Sequence, residues 1–332
     1  MASQGVSIDQ PAGASGAPTA VVAEGRRWRR RGGSGVAPHL RDNRTAYLMI
    51  APMVVLLGIF VIWPLLYSFY LSTFEISFYQ EPEFVGLQFY RFVLESPRFW
   101  NSLWVGFKSV VFIVPATLIL SFLIAALIKA LGARLAGAMK TTIYIPTAIS
   151  AVVASVVFML MYQARGGLIN GLLKPLGLGP FPFLSDIDLA LPAIAVPAVW
   201  LALGVSTLIM LAGMMDIPQD YYEAAALDGA GFLQRSRYVT LPLLRNVILF
   251  VLVTGCIAAI QLLDLPLVMT KGTGGPVDST MTPNLYILSQ FRDPRPFATS
   301  FSITAALLLF LILGTLTAII FRVVRSDKAV DG

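Results

Sequence analysis

The stretch EAAALDGAGFLQRSRYVTLP, residues 223–242, separates two long apolar runs of the sequence. It is rich in alanine and glycine and carries several charges, whereas the whole chain is 57% hydrophobic and only 13% charged. Soluble domains contain about 25% charged residues, so this composition indicates an integral membrane protein. A simple connection between two membrane helices could be much shorter, and the length of the stretch therefore suggests a role of its own.

Six apolar stretches are long enough to cross a bilayer as helices, which takes about 20 residues each. They cover residues 46–70, 106–128, 142–162, 190–213, 246–266 and 301–321. Pro115, Pro146 and Pro197 lie inside these stretches, and membrane helices tolerate proline because neighbouring groups satisfy the freed backbone. The sequence therefore predicts an all-α integral membrane protein with a six-span core at residues 46–325.

The predicted core lies between two short tails. Residues 1–45 hold seven of the 24 basic residues, are rich in Gly, Ala, Ser and Pro, and show no apolar period. This composition is typical of a disordered basic tail that contacts membrane lipid, and we do not expect nucleic-acid binding. A second tail, 326–332, follows the last span. The single cysteine, Cys256, excludes an intramolecular disulfide, and the first apolar stretch is too long for a cleaved signal peptide.

Lys and Arg residues in the connections predict the orientation, because they are enriched on the cytoplasmic side. If the N-terminus is inside, the inside segments are 1–45, 129–141, 214–245 and 322–332. These segments contain 16 of the 24 basic residues, whereas the acidic residues divide evenly, nine and nine. Both termini and segment 214–245 are therefore predicted to be cytoplasmic.

Segment 214–245 is predicted to be a helix-turn-helix. Asp216 is placed near an N-cap and Pro218 at an early helical position, which suits proline. Gly229 is a natural C′ residue for the first helix, because glycine adopts the left-handed conformation there. A second helix, at about 231–240, is expected to end at Leu241 and Pro242.

The spacing alone leaves two interpretations of this segment open. It is either an amphipathic connector at the membrane surface or a docking element for a soluble cytoplasmic partner. The small side chains of Ala224, Ala225 and Ala226 would allow another surface to approach closely, which is compatible with docking.

The pattern resembles the cytoplasmic EAA loop of binding-protein-dependent ABC importer permeases. The matching residues are Glu223, Ala224, Ala225, Gly229, Val239, Leu241 and Pro242. Val239 is the one departure, since the family more often has Ile at that position. Residues 84–107, 145–173 and 274–280 resemble segments of the carbohydrate-uptake subgroup, which includes the maltose and glycerol-phosphate permeases.

The resemblance implies a permease subunit in the bacterial cytoplasmic membrane, forming half of the pathway for a sugar or related polyol. It implies a second, homologous permease and a cytoplasmic ATPase dimer that binds ATP and magnesium. An extracytoplasmic solute-binding protein is expected to dock onto loops 71–105 and 264–300. The chain contains no Gly-x-x-x-x-Gly-Lys-Ser/Thr run, so we expect no enzyme activity, cofactor, catalytic residue or metal ligand in it.

Two sets of site residues follow from the resemblance. The expected ATPase-coupling residues are Tyr222, Glu223, Ala224, Ala225, Asp228, Gly229, Leu241 and Pro242. The substrate-pathway candidates, polar or aromatic residues of the fourth and fifth spans, are Trp200, Ser206, Thr207, Thr254, Gln261 and Asp264. Polar groups at membrane depth usually face the bundle interior, and Gln261 is the preferred candidate among them.

Three alternatives stay open from the sequence. An importer permease for another solute would also have the EAA pattern. A secondary transporter usually has internal repeats and coupling residues deep in the membrane, and neither feature is evident. A membrane enzyme would need a nucleophile or metal cluster, but the only histidine, His39, lies in the predicted tail.

Overall fold

The computed structural model describes residues 40–77 and 81–326, and this part of the chain is almost entirely helical. The helices are α1 (Leu40–Leu57), α2 (Trp63–Leu71), α3 (Gln88–Glu95), α4 (Pro97–Ala130), α5 (Ala133–Tyr144), α6 (Ala151–Met161), α7 (Leu168–Leu173), α8 (Ile187–Met215), α9 (Gln219–Leu227), α10 (Phe232–Arg235), α11 (Leu241–Leu243), α12 (Arg245–Ile260), α13 (Asp264–Met269), α14 (Pro283–Phe291) and α15 (Ala298–Ser326). Two short antiparallel strands, β1 (Phe74–Glu75) and β2 (Glu83–Phe84), pair with Phe74 opposite Phe84.

Five helices in the described residues are long and apolar enough to cross a membrane. They are Tyr47–Leu71, Pro97–Ala130, Ile187–Met215, Arg245–Met269 and Ala298–Ile319. A sixth span is formed if the bent pair Ala133–Ala148 and Ala151–Met161 counts as one. The predicted all-α membrane architecture is therefore confirmed.

The third predicted span, 142–162, is wrong as a single helix. The chain turns by 93° between the two helical pieces, and Pro146 lies in a 3₁₀ segment, Ile145–Ala148, rather than inside an α-helix. Proline has no backbone N–H and its ring clashes with the preceding turn, so it favours a break. By contrast, Pro115 and Pro197 are accommodated inside α4 and α8, as expected.

The chain divides by its contacts into one unit that ends at Gly58 and one that begins at Ile59. The first unit contains α1, which begins at Leu40 and so includes residues 40–45 that the sequence assigned to the tail. The rest of the predicted N-terminal tail and residues 327–332 lie outside the described residues. The second unit contains all the other elements.

The core of the second unit is built around α4 and α8, which pack on each other and on α12. One buried cluster contains Ile113, Ile194 and Ala259. A second cluster, nearer the end of α8, contains Ile128 and Met210. Many other buried residues of α4 and α8 are Ala, Ser or Thr, and such small side chains allow membrane helices to approach closely.

At the end of the bundle where α4 begins, α4 contacts residues of the predicted loop 264–300. Within the predicted loop 264–300, α14 buries Tyr286 against Phe99 of α4, with ring centroids 6.1 Å apart. The Arg98 guanidinium donates two hydrogen bonds of 2.8 Å to the carboxylate of Asp278. The Asn101 side chain donates to the Asp278 carbonyl oxygen at 3.1 Å, so the first turns of α4 are joined to the segment that follows α13.

Candidate functional site

The EAA pattern lies on a hairpin of short helices, residues 218–243, that is held by a buried residue at each end. Ile217 is 9% exposed and Leu244 is 1% exposed, and both belong to the cluster that contains Met210 and Met214. A Cβ atom on Gly213 would lie 2.7 Å from a methyl carbon of Leu244. The base of the hairpin is therefore tightly packed against the end of α8.

The first hairpin helix, α9, begins after Pro218, so the prediction of an N-cap near Asp216 is wrong. Asp216 instead ends α8, and its backbone N–H donates to the Ala212 carbonyl at 3.1 Å. Because α8 extends to Met215, the backbone of Asp216 completes its last turn. Pro218 occupies the N-cap position of α9, without a side-chain hydrogen bond.

The end of α9 confirms Gly229 as its C′ residue. Gly229 has a φ of +75°, and its N–H donates to the Ala226 carbonyl at 3.0 Å. The N–H of Ala230 donates to the Ala225 carbonyl at 2.9 Å. These two bonds form the Schellman motif, which satisfies carbonyls at a helix end and favours glycine at its left-handed position.

The second arm of the hairpin runs further than expected. It consists of α10, a π-helical turn at Ser236–Thr240, and α11, which ends at Leu243. The prediction that it ends at Leu241 and Pro242 is therefore wrong. Pro242 lies in the first turn of α11, directly after the π-helical turn.

A cluster around Lys129 connects the hairpin to the ends of α4 and α8. The Lys129 ammonium donates to the Met214 carbonyl at 2.6 Å and lies 4.2 Å from the centroid of the Tyr222 ring. The Tyr222 hydroxyl is 3.2 Å from the Thr240 hydroxyl. A cation at a helix C-terminus and over an aromatic ring is favourable, so one side chain stabilises contacts with α8 and α9 together. A cavity of about 400 Å³ lies beside this cluster.

Most of the predicted coupling residues point away from the bundle. Tyr222 and Ala225 are half-buried, and the other six, Glu223, Ala224, Asp228, Gly229, Leu241 and Pro242, are exposed. Next to them, the Leu227 side chain is 90% exposed and Leu233 is 79% exposed. The hairpin thus presents apolar side chains on its outer surface.

A cavity of about 600 Å³ lies between α4, α8, α12 and α13. Its lining is mainly apolar and includes Ala202, but four of the six predicted pathway residues also line it: Ser206, Thr254, Gln261 and Asp264. Thr207 is fully buried and does not line it. Trp200 does not line it either, and its ring lies 5.7 Å from that of Phe158.

Gln261 and Asp264 lie at a break between α12 and α13. The Leu262 carbonyl accepts a 2.5 Å hydrogen bond from the Thr282 hydroxyl, and the Gln261 carbonyl accepts one of 2.8 Å from the Asn284 side chain. These side chains satisfy backbone groups that the break frees. The amide side chain of Gln261 has no hydrogen bond to any described residue, so it is available to a solute.

Residues 98–329 match the family of binding-protein-dependent transport system inner membrane components. The chain belongs to this family. The permease is 34% identical to the trehalose/maltose transport system permease protein MalF of Thermococcus litoralis over 255 residues, which are 76% of this chain and 85% of MalF. It is 30% identical to the sulfoquinovosyl glycerol transport system permease protein SmoG of Agrobacterium fabrum, over 86% of this chain and 92% of SmoG.

A solved structure has the same fold as the permease. It is a bacterial alginate ABC transporter in complex with an alginate pentasaccharide-bound periplasmic protein, with a TM-score of 0.67 at 20% identity, over 85% of this chain and 94% of that one. Together with the sugar-permease relatives, the family match confirms the predicted family of ABC transporter permeases for carbohydrate uptake. The permease is thus a multi-pass inner membrane protein.

Sequence reasoning missed one polar group of the cavity between α4, α8, α12 and α13. Thr117 of α4 lines it, and its hydroxyl is buried without a hydrogen-bond partner among the described residues. The second predicted span, 106–128, is apolar apart from Lys108 near its start, and the predicted pathway residues all lie in the fourth and fifth spans. A polar residue in the middle of an apolar span was the available signal.

Proposed function

We propose that this permease is one of two homologous subunits of an ATP-driven importer and forms half of the pathway for a sugar or related polyol. The cavity between α4, α8, α12 and α13 supports this, because an apolar lining with a few polar groups is typical of small-molecule sites. The relatives named for trehalose/maltose and for sulfoquinovosyl glycerol also support a carbohydrate.

The observation that carries the proposal is the exposed hairpin on its two buried anchors. Its outer surface combines Glu223 with the exposed apolar side chains of Leu227 and Leu233. Such a surface suits a groove on a soluble ATPase dimer, with Glu223 facing a basic or polar group. Gly229 supplies the bend between the two arms.

ATP and magnesium would bind to the partner ATPase, because this sequence has no phosphate-binding Gly-x-x-x-x-Gly-Lys-Ser/Thr run. When ATP closes the ATPase dimer, the two docked hairpins move together and switch the membrane helices from inward-open to outward-open. This is rigid-body switching, in which binding at one site biases a two-state element. The Lys129 cluster would pass the movement of α9 to α4 and α8.

Both termini and the hairpin are proposed to be cytoplasmic, as the distribution of Lys and Arg indicates. The solute-binding protein would then dock at the opposite end, onto loops 71–105 and 264–300. The alginate transporter with a bound periplasmic protein supports this kind of partner. A protease site placed at the N-terminus should be cut only from the cytoplasmic side; cutting from outside would contradict the topology.

Affinity purification of the tagged permease tests the whole proposal. We expect an ATPase, a second permease and a solute-binding protein to co-purify. The assembly in proteoliposomes should take up maltose, trehalose or lactose only when ATP is inside. Uptake without an ATPase, or copurification without any ATPase, would refute it.

A further inference from the structure

We propose that the Thr117 hydroxyl is an additional sugar contact in the cavity between α4, α8, α12 and α13. The hydroxyl is set apart by its lack of a partner. Other buried hydroxyls of the spanning helices donate to carbonyls of their own helix: Ser102 to Phe99, Ser109 to Val105, Ser121 to Leu118, Ser302 to Ala298 and Thr304 to Ser300. Such bonds satisfy a hydroxyl in an apolar environment. Among buried side chains in the described residues, only Thr117, Thr207 and Ser279 have a hydroxyl without a partner.

Burying a hydroxyl without a hydrogen bond costs free energy, so each such group in a native structure calls for an explanation. Thr117 is 6% exposed and lines the cavity, but its hydroxyl oxygen is itself covered, so a rotation about χ1 is needed to bring it to a solute. A solute in the cavity would therefore supply the partner that the protein does not. Thr207 is completely buried and does not line the cavity, so no solute reaches it.

The chemistry around the cavity indicates the class of solute. Thr117 of α4, Ser206 of α8, Thr254 of α12 and Asp264 of α13 place one polar group on each of four helices, and Gln261 adds an amide at the break. The Asp264 carboxylate accepts hydrogen bonds when ionised, and the Thr254 hydroxyl is left as an acceptor because it donates to the Phe250 carbonyl at 2.8 Å. The Thr117 and Ser206 hydroxyls and the Gln261 amide both donate and accept. A polyhydroxylated molecule offers donors and acceptors at several positions, and so satisfies this mixed set.

The inference depends on the proposed import of a sugar or polyol, and the test separates the two. Thr117→Val removes the hydroxyl and keeps the shape; Thr207→Val makes the same change away from the cavity. Each variant is assembled with the co-purified partners in proteoliposomes. Uptake of [14C]maltose, trehalose and lactose is measured alongside the thermal unfolding midpoint of the assembly.

Both variants should unfold at or above the wild-type temperature, because each loses an unsatisfied buried hydroxyl. Only Thr117→Val should slow uptake, by roughly 2–10-fold for one neutral hydrogen bond. Because a solute-binding protein captures the sugar first, the maximal rate should fall while the half-saturating sugar concentration stays the same. Thr117→Ser keeps the hydroxyl and should restore uptake.

Equal uptake by Thr117→Val and wild type would overturn the inference. Equal loss of uptake in Thr117→Val and Thr117→Ser would also overturn it, because the methyl group rather than the hydroxyl would then matter. If Thr207→Val slowed uptake as much as Thr117→Val, cavity contact would not be the cause. If the wild-type assembly imported none of the sugars, the proposed function would fail instead.

Discussion

Replacing Gly229 with serine perturbs the turn between α9 and α10 without creating a clash. Gly229 has a φ of +75°, and no heavy atom lies within 4 Å of the position its Cβ would take. The effect therefore comes from the backbone alone. A residue with a Cβ atom pays roughly 1–2 kcal/mol in the left-handed conformation.

The backbone at residue 229 can relax this strain by changing conformation, because no heavy atom lies within 4 Å of the Cβ position. The two Schellman hydrogen bonds, at 2.9 and 3.0 Å, are the contacts that oppose a change of conformation there. A cost of 1–2 kcal/mol corresponds to a factor of roughly 5–30 in an equilibrium. We therefore expect Gly229→Ser to weaken ATPase binding by up to that factor.

Gly231→Ser is the matched control in the same hairpin. Gly231 has a φ of −73°, and its Cβ would meet only the Gln234 side-chain oxygen, at 4.0 Å. It is also the N-cap of α10, a position that serine favours. ATPase is titrated against each permease assembly in nanodiscs, and the dissociation constant is measured. Wild-type affinity for Gly229→Ser, or equal losses in both variants, would refute the reasoning.

Three further predictions concern the hairpin linkage, the cavity and the helix packing. Lys129→Met should raise the ATP hydrolysed per sugar imported while ATPase still co-purifies, and Lys129→Arg should restore coupling; an unchanged ratio would contradict this. Gln261→Leu removes the unpaired amide and should slow proteoliposome uptake roughly 2–10-fold without reducing assembly; unchanged kinetics would remove it from the pathway. Gly204→Ala places a Cβ atom 2.8 Å from the Ile143 carbonyl oxygen and should lower the free energy of unfolding by about 1–3 kcal/mol, as measured by thermal unfolding. Gly314→Ala is the control, because no heavy atom lies within 4 Å of its Cβ position, and it should not lower stability. Equal effects of the two changes would contradict the packing argument.

The sequence predicted the membrane helices well because apolar length is a direct requirement of the bilayer. It predicted their ends less well. α4 begins at Pro97, well before residue 106, and its first turns carry Arg98 and Asn101. The Arg98–Asp278 pair is one polar contact made by these first turns. Hydropathy detects only the part inside the lipid.

The cavity-facing side of α8 could not be predicted in the same way. Ser206 and Thr207 are adjacent, and consecutive residues are about 100° apart around a helix, so they face different surroundings. α8 is apolar on all sides, and no polar stripe indicates which face is covered. Only packing against α4, α5 and α12 determines that Ser206 lines the cavity and Thr207 does not.

Breaks in two spans lie at the cavity, and the break before α13 adds the polar side chains of Gln261 and Asp264 to its lining. Irregular backbone at membrane depth is tolerated where it is buried in protein or lines a cavity. Ala151, directly after the bend in the third span, and residues 261–264, at the break before α13, both line the cavity between α4, α8, α12 and α13. The carbonyls of Gln261 and Leu262 are held by Asn284 and Thr282, which belong to the loop proposed to receive the solute-binding protein. Two hydrogen bonds therefore connect the loop proposed to receive the solute-binding protein with residues that line the proposed sugar site.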